Sequence, residues 1–252
     1  MIDIGVNLLH PQFDIDRAAV VRRARDAGVD EMLITCTDLE TSEAAIEYCR
    51  AHDMYCTAGI HPHDAKDAPA DLIERLQRLA HASRVKAIGE TGLDFNRNYS
   101  PETVQREVFE IQLGIAQSCR LPVFVHDRDS RGATFDMLAA HIDGLSGVVV
   151  HCFTGDRSEL ARYLSIGCYI GITGWVCDRR RGGELRKLVT HLPLDRILIE
   201  TDAPFLLPDN APEGWLQVNS QADKRRNEPA LLPFVAAQIA EAMAIDPIEV
   251  GH

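Results

Sequence analysis

Among the seven cysteines (Cys36, Cys49, Cys56, Cys119, Cys152, Cys168 and Cys177) no two form a Cys-x-x-Cys pair. An odd count at wide spacing disfavours a disulfide framework and a cysteine zinc site, and points to reduced, mostly buried thiols. No apolar run approaches the roughly 18–20 residues that a membrane span needs. The first residues, Met1-Ile2-Asp3-Ile4-Gly5, have neither the basic nor the apolar segment of a signal peptide. The expectation is a cytoplasmic protein with no membrane partner. Positive charge is also scarce: 26 Lys and Arg stand against 38 Asp and Glu, a net charge of −12. That excludes a protein that holds DNA by coating its phosphates with basic side chains. A nucleic-acid substrate then needs another source of positive charge at the site, which a bound metal ion supplies.

What the chain does have is a regular alternation. Eight short apolar runs rich in Val and Ile read as strands buried on both faces: Met1–Val6, Glu31–Thr35, Tyr55–Gly59, Val85–Gly89, Pro122–His126, Gly147–His151, Tyr169–Ile172 and Arg196–Glu200. Amphipathic stretches between them read as helices. Asp14–Ala27 carries Ile15, Ala18, Val21 and Ala24 on one face and stops at Gly28. Thr41–His52, Ala70–Ala82, Pro101–Ser118 (with Ser100 as N-cap), Ala133–His141, Ser158–Ile166, Gly183–His191 and Pro229–Ala244 follow. Eight strands each followed by a helix, about 31 residues per repeat, predict one α/β domain over residues 1–252, a (β/α)8 TIM-type barrel. A doubly wound open sheet is the alternative. The long stretch Thr201–Glu228 reads as a functional loop.

In such a barrel the active site lies at the C-terminal ends of the strands. The polar residues there are His61 and His63 after the third run, Glu90 after the fourth, His126 and His151 ending the fifth and sixth, and Asp202 after the eighth. Glu90 and His126 are 36 residues apart, His126 and His151 are 25, and His151 and Asp202 are 51, or one, one and two repeats. These four side chains are therefore expected at one mouth. Imidazole nitrogens with carboxylate oxygens suit Zn²⁺, Mn²⁺ or, with enough oxygen and water, Mg²⁺. A lone strand-end histidine is more often structural; four competent groups at matched positions point to a metal that activates water. His61 and His63, bracketing Pro62, read as contacts to a second ion or a phosphate, with loop capping as the alternative. Glu200 reads as a buried partner. Asp94 and Asn96 are placed on the loop after Glu90, as a solvated turn or as part of the site. Trp175 stands beside Arg179, Arg180 and Arg181, a group suited to stack a base and hold phosphate, or else a surface charge run. Lys224-Arg225-Arg226-Asn227 adds cation ahead of the last helix.

These segments together resemble the TatD family of metal-dependent deoxyribonucleases, on amidohydrolase-like barrels. The carriers are Gly59-Ile60-His61-Pro62-His63, Ile88-Gly89-Glu90-Thr91-Gly92-Leu93-Asp94, Pro122-Val123-Phe124-Val125-His126, His151-Cys152-Phe153-Thr154-Gly155, Glu200-Thr201-Asp202-Ala203-Pro204 and Arg226-Asn227-Glu228-Pro229. The likeness spans nearly the whole chain. Leu93 to Asn98 and Gly171 to Arg181 look like TatD proper rather than a paralogue. The resemblance implies 3′→5′ exonuclease action on single-stranded DNA, with RNA as a further substrate, in a cytoplasmic monomer with DNA repair as its setting. It implies Glu90, His126 and His151 as metal ligands, Asp202 as ligand or catalytic acid/base, and Glu90 in catalysis as well. Asn7, Asp94, Asn96, Trp175, Arg179, Arg226 and Asn227 are the candidate substrate contacts.

Two departures qualify that set. Most members open with Asp-x-His-x-His, whereas this chain has Asp3-Ile4-Gly5-Val6-Asn7. Glycine offers no side-chain ligand and asparagine only a weak one, which moves the expected ion from Zn²⁺ towards Mg²⁺ or Mn²⁺ and favours one tightly held ion over two. Family chains also run on past the last helix, where this one ends at Gly251-His252, as a shortened C-terminus would. A rival reading keeps the cluster and changes the substrate: a metal-dependent amide or ester hydrolase such as an aminoacyl-tRNA deacylase. A third, prompted by Gly5 and Asn7, is a non-catalytic binding barrel.

Overall fold

The runs of Val and Ile become strands very nearly where the pattern placed them. Among the described residues there are eight: β1 (Ile2–Val6), β2 (Glu31–Ile34), β3 (Tyr55–Ala58), β4 (Val85–Asp94), β5 (Val123–Arg128), β6 (Val148–His151), β7 (Tyr169–Ile172) and β8 (Ile197–Ile199). The helices among the described residues include α1 (Arg17–Asp26), α2 (Leu39–His52), α3 (Leu72–Ala80), α4 (Glu102–Cys119), α5 (Ala133–His141), α6 (Arg157–Ser165), α7 (Gly183–Val189), α8 (Leu232–Met243) and the short α9 (Pro247–Val250). This computed structural model describes residues 1–213, 215 and 226–250; Lys224, Arg225, Gly251 and His252 lie outside them. No helix among the described residues is long and apolar enough to cross a membrane.

The strands lie in one sheet in the order β1 to β8. The segment after β8 returns to the end of β1: Asp202 N donates to Gly5 O and Asn7 N to Ala203 O, both at 2.8 Å. A sequential order that closes on its first strand is that of the (β/α)8 barrel, and it differs from a doubly wound sheet, whose strand order reverses at a switch point. The chain forms two compact units, Ile34–Ile170 and Met1–Leu33 with Gly171–His252.

In the Ile34–Ile170 unit, β3 to β6 pair in parallel. Leu72, Leu76, Leu79 and Ala80 give α3 a buried stripe at helical spacing. Asp38 and Asp156 open α2 and α6 with capping boxes, and Gly167 (φ 81°) follows α6 as the sequence expected. Ser100 is not the N-cap of α4. Pro101 takes that position, and the Ser100 hydroxyl instead donates to His63 O at 2.8 Å and accepts from Lys66 N at 3.0 Å. A tertiary partner has taken the hydroxyl that a cap would use.

In the other unit, α1 begins at Arg17. Ile15, expected on its inner face, precedes it and is exposed; Val20, Val21 and Ala24 form the buried stripe. Asp16, at the N-cap position, makes no cap bond because its carboxylate is taken by Arg23 and Arg226. Gly28 (φ 83°) ends α1, with Val29 N bonded back to Ala24 O. None of the seven thiols is in a disulfide, five are buried, and burial pushes Cys168 and Cys177 up to about 12.

Asp3 is fully buried on β1. Its Oδ1 accepts from Thr201 N (3.0 Å) and Gly5 N (3.2 Å), and Thr201 Oγ1 donates to Oδ2 at 2.5 Å. Burial outweighs these bonds and raises its carboxyl from the ordinary value to about 7. The unfolded chain releases that proton near pH 3.9, about its model-peptide value. The contribution of Asp3 to stability is therefore whole below about pH 4 and is lost as pH rises to about 7. Asp3→Asn, which stays neutral and keeps an acceptor for both amides, is expected to flatten the pH 4–7 part of the stability curve. Urea midpoints at half-unit pH intervals measure it; a variant with the wild-type slope contradicts the assignment.

Candidate metal centre

The site is built first by β4. Ile88 pairs with Val123 but Thr91 pairs with Val125, so three steps on β4 match two on β5. The extra residue is a bulge at Gly89–Glu90, a device that re-aims a side chain. Glycine is required on both sides of it. Gly89 has φ 147°, and a Cβ there would lie 2.3 Å from Phe124 O; Gly92 has φ 134°, and its Cβ would lie 2.0 Å from His126 O. β4 then continues to Asp94, which is thus a buried strand residue and not part of the predicted loop. A loop would have solvated its carboxylate; here Gln105 closes the backbone ladder in place of a further strand. With a two-residue period, Glu90, Gly92 and Asp94 share a face. Gly92, His126 and His151 pair across β4, β5 and β6, which puts both imidazoles in one row beside Glu90.

Glu90 is the hub. Its Oε1 lies 3.0 Å from His126 Nδ1, 3.3 Å from His61 Nε2 and 3.5 Å from His151 Nε2. Asp94 forms the second tier, its Oδ2 2.7 Å from His63 Nε2 and 3.3 Å from His126 Nε2. Its Oδ1 accepts from the backbone of Asn96 (3.0 Å) and Arg97 (2.8 Å). Burial opposes ionisation of Glu90, but the surrounding imidazoles outweigh it and hold the carboxyl well below its ordinary value. Asp94 is likewise held down, against its burial, by His126, His63 and the Arg97 amide. Burial lowers His61 to about 4, so this imidazole is neutral near pH 7. For His126 burial works the other way from its two carboxylates, which win and raise it to about 9.

Donor atoms of His61, Glu90 and His126 lie within 4.8 Å of one another. Two imidazoles and an ionised carboxylate are a fitting set for a divalent transition ion or Mg²⁺, and ligand protons leave when such an ion binds. His61, expected as a second-ion or phosphate contact, thus stands with Glu90 and His126. His63 stands one step away, on Asp94.

Helix α4 holds both tiers in place. Gln112, buried, accepts from Ile60 N (2.8 Å) and donates to Ile60 O (3.0 Å) and Thr91 Oγ1 (2.6 Å). Gln105, one heptad earlier and also buried, accepts from Asp94 N (2.8 Å) and donates to Asp94 O (3.1 Å). The two amides replace missing strand partners next to His61 and at Asp94. Neither glutamine is among the candidates that strand-end position singles out. Their signal was a polar residue recurring at seven-residue spacing on an otherwise apolar helix face.

The remaining candidates fall variously. Asn96 is exposed and its side chain donates to Asp129 at 2.6 Å. In the unit of β1 and β8, Asn7 Nδ2 donates to Asp202 Oδ1 at 2.9 Å, so this asparagine orients a carboxylate. Glu200 is fully buried, as expected. The Arg181 guanidinium lies 4.0 Å over the Trp175 ring and pairs with Asp178, so one face of the indole is already occupied; Arg179 and Arg180 are exposed. Arg226 does not join a cationic rim. Its side chain is completely buried and bonded to Asp16, Glu228 and Gln12 O. Asn227 is also buried, donating to Thr201 O (2.9 Å) and Leu206 O (3.3 Å) as a staple of the loop.

Imidazoles and an ionised carboxylate at the strand ends of a (β/α)8 barrel define a metal-dependent hydrolase. Residues 2–252 match the family described as TatD related DNase. A curated relative, the "3′-5′ ssDNA/RNA exonuclease TatD" of Pectobacterium parmentieri, is 47% identical over 254 residues, covering 100% of this chain and 95% of its own. The solved structure of a TatD homologue from Escherichia coli K12 superposes with TM-score 0.87 at 27% identity, over 99% of this chain and 93% of that one. An uncharacterised amidohydrolase from Saccharomyces cerevisiae shares the fold, with TM-score 0.84 at 22% identity over 99% of this chain and 96% of its own. This chain belongs to the TatD-related DNase family.

Proposed function

We propose that this protein is a metal-dependent 3′–5′ exonuclease that hydrolyses phosphodiester bonds in single-stranded DNA and RNA. The observation that carries the reading is Glu90, a carboxylate held ionised among His61, His126 and His151 on the strand ends of this barrel. The full-length likeness to relatives named for that activity supports it.

Glu90, His126, His61 and His151 are the residues that would hold the ion. A divalent ion bound there would supply acidity to a water and positive charge near the phosphate. Around it the protein positions and shields. Asp94 fixes the His126 and His63 rings, Gln112 and Gln105 fix the backbone beside them, and the burial of Glu90 and His61 excludes bulk water from the donors. A role for Asp202 as ligand or acid/base rests on its Glu200-Thr201-Asp202-Ala203-Pro204 motif, with Asn7 orienting it. Mg²⁺ as the ion (Mn²⁺ or Zn²⁺ next), a monomer, one functional domain over residues 1–252, the cytoplasm and a setting in DNA repair belong to the same proposal.

The test is a matrix of metals and substrates: end-labelled single- and double-stranded DNA, RNA and an aminoacyl ester, each with Mg²⁺, Mn²⁺, Zn²⁺ or chelator. Ladder-wise shortening of the single strands from the 3′ end, abolished by chelator, is expected. Turnover of the ester alone would transfer the site to carbonyl chemistry.

A further inference from the structure

We infer that Tyr99 is a stacking platform for a nucleobase beside the scissile phosphate, an inference that rests on the nuclease reading above. Tyr99 leaves 55% of its surface exposed. A single exposed aromatic needs no explanation by itself; the placement of this one does. Its ring centroid lies 4.7 Å from that of His63, edge to face at 63°, and His63 Nε2 lies 2.7 Å from Asp94 Oδ2. The ring thus borders the metal centre through one intervening imidazole.

The backbone on either side of Tyr99 is pinned. Asn98 takes the left-handed conformation (φ 52°), with its Oδ1 3.5 Å from Gln105 Nε2. Ser100 is fully buried, its hydroxyl bridging His63 O and Lys66 N and its carbonyl accepting from Gln105 Nε2 at 2.8 Å. Gln105 therefore holds Asp94 and the Tyr99 segment with one amide group. The ring is exposed on a fixed support, so a ligand that covers it has little ordering left to impose. Among the described residues no polar group bonds the Tyr99 hydroxyl, so its ring contact with His63 is what places the side chain.

A base fits that face better than a phosphate does. Every base has a π-face, so stacking accepts any sequence, as stepwise removal of nucleotides requires. A chain with net charge −12 also has little general attraction for phosphates, which leaves more of the substrate's hold to uncharged contacts.

The test compares kcat/KM on single-stranded oligodeoxynucleotides that end in ordinary nucleotides or carry an abasic residue at the last or the last-but-one position. In the wild type, loss of the base at one of these positions is expected to cost about 5- to 150-fold, the range of base–aromatic stacking. Tyr99→Ala should collapse that ratio towards unity, through KM rather than kcat, and Tyr99→Phe should retain it. A structural role would lower both substrates alike and keep the ratio; that result, or a ratio that survives Tyr99→Ala, overturns the inference. If the wild type cuts neither substrate with Mg²⁺ or Mn²⁺, the nuclease reading itself fails and this inference falls with it.

Discussion

Glu90→Gln is expected to lower both nuclease turnover and metal affinity by more than about 100-fold. Loss of an outer partner of a metal ligand already costs about 10–100-fold, and Glu90 lies at the centre of the donor set, within 3.5 Å of three imidazoles. The substitution keeps the shape and removes a charge that attracts a cation and, together with Asp94, raises His126 to about 9. Calorimetric titration with Mn²⁺ and a steady-state assay on labelled single strands measure the two effects. Glu90→Asp separates charge from position. It retains the charge but withdraws it by one methylene, and a misplacement of about 1 Å costs on the order of 100-fold in rate. Glu90→Asp should therefore recover metal affinity more than turnover. Metal affinity and turnover both within threefold of wild type in Glu90→Gln would remove Glu90 from the centre.

How legible this site was depends on which of its residues obey a repeat. Glu90, His126 and His151 recur at barrel-like intervals in the C-terminal halves of their strands, and the structure brings all three together. The strand order follows from the same alternation, because a βα repeat leaves few topologies open. Asp94 was misplaced for a local reason. Gly89 and Gly92 look like loop punctuation in sequence, but here they let β4 bulge and lie flush against β5. Four-residue spacing from Glu90 was the available clue, since residues an even number apart share a strand face. His61 was legible as a site residue but not as a partner of Glu90. That depends on Gln112 holding the backbone of Ile60 from 52 residues away, a contact with no periodic signature.

Arg226 was misread most, and it carries the largest expected effect on stability. Three cations in a row ahead of the last helix, Lys224, Arg225 and Arg226, look like a rim for a polyanion. In the structure Arg226 is instead the centre of a closed network. Its guanidinium bonds Asp16 through both terminal nitrogens at 2.8 Å, Glu228 at 2.7 Å and Gln12 O at 2.7 Å, and lies 5.0 Å over the Phe13 ring. Arg23 completes it from the other side of Glu228, at 2.8 Å. Removing one partner of such a group strands the others in a low-dielectric setting, so Arg226→Ala is expected to cost about 3–5 kcal/mol of unfolding free energy. The Glu228 carboxylate, itself fully buried, would lose one of its two arginines and keep Arg23. Adding Glu228→Gln should consequently cost much less in the Arg226→Ala background than in the wild type, a coupling that urea denaturation of the four proteins of the cycle resolves. A substrate-contacting arginine would behave differently. Its removal would leave the unfolding midpoint within about 0.5 kcal/mol of wild type, the usual size of a surface change, and would raise KM for single-stranded DNA below the unfolding transition. The network requires the reverse: a large loss of stability, and an unchanged KM wherever the variant remains folded.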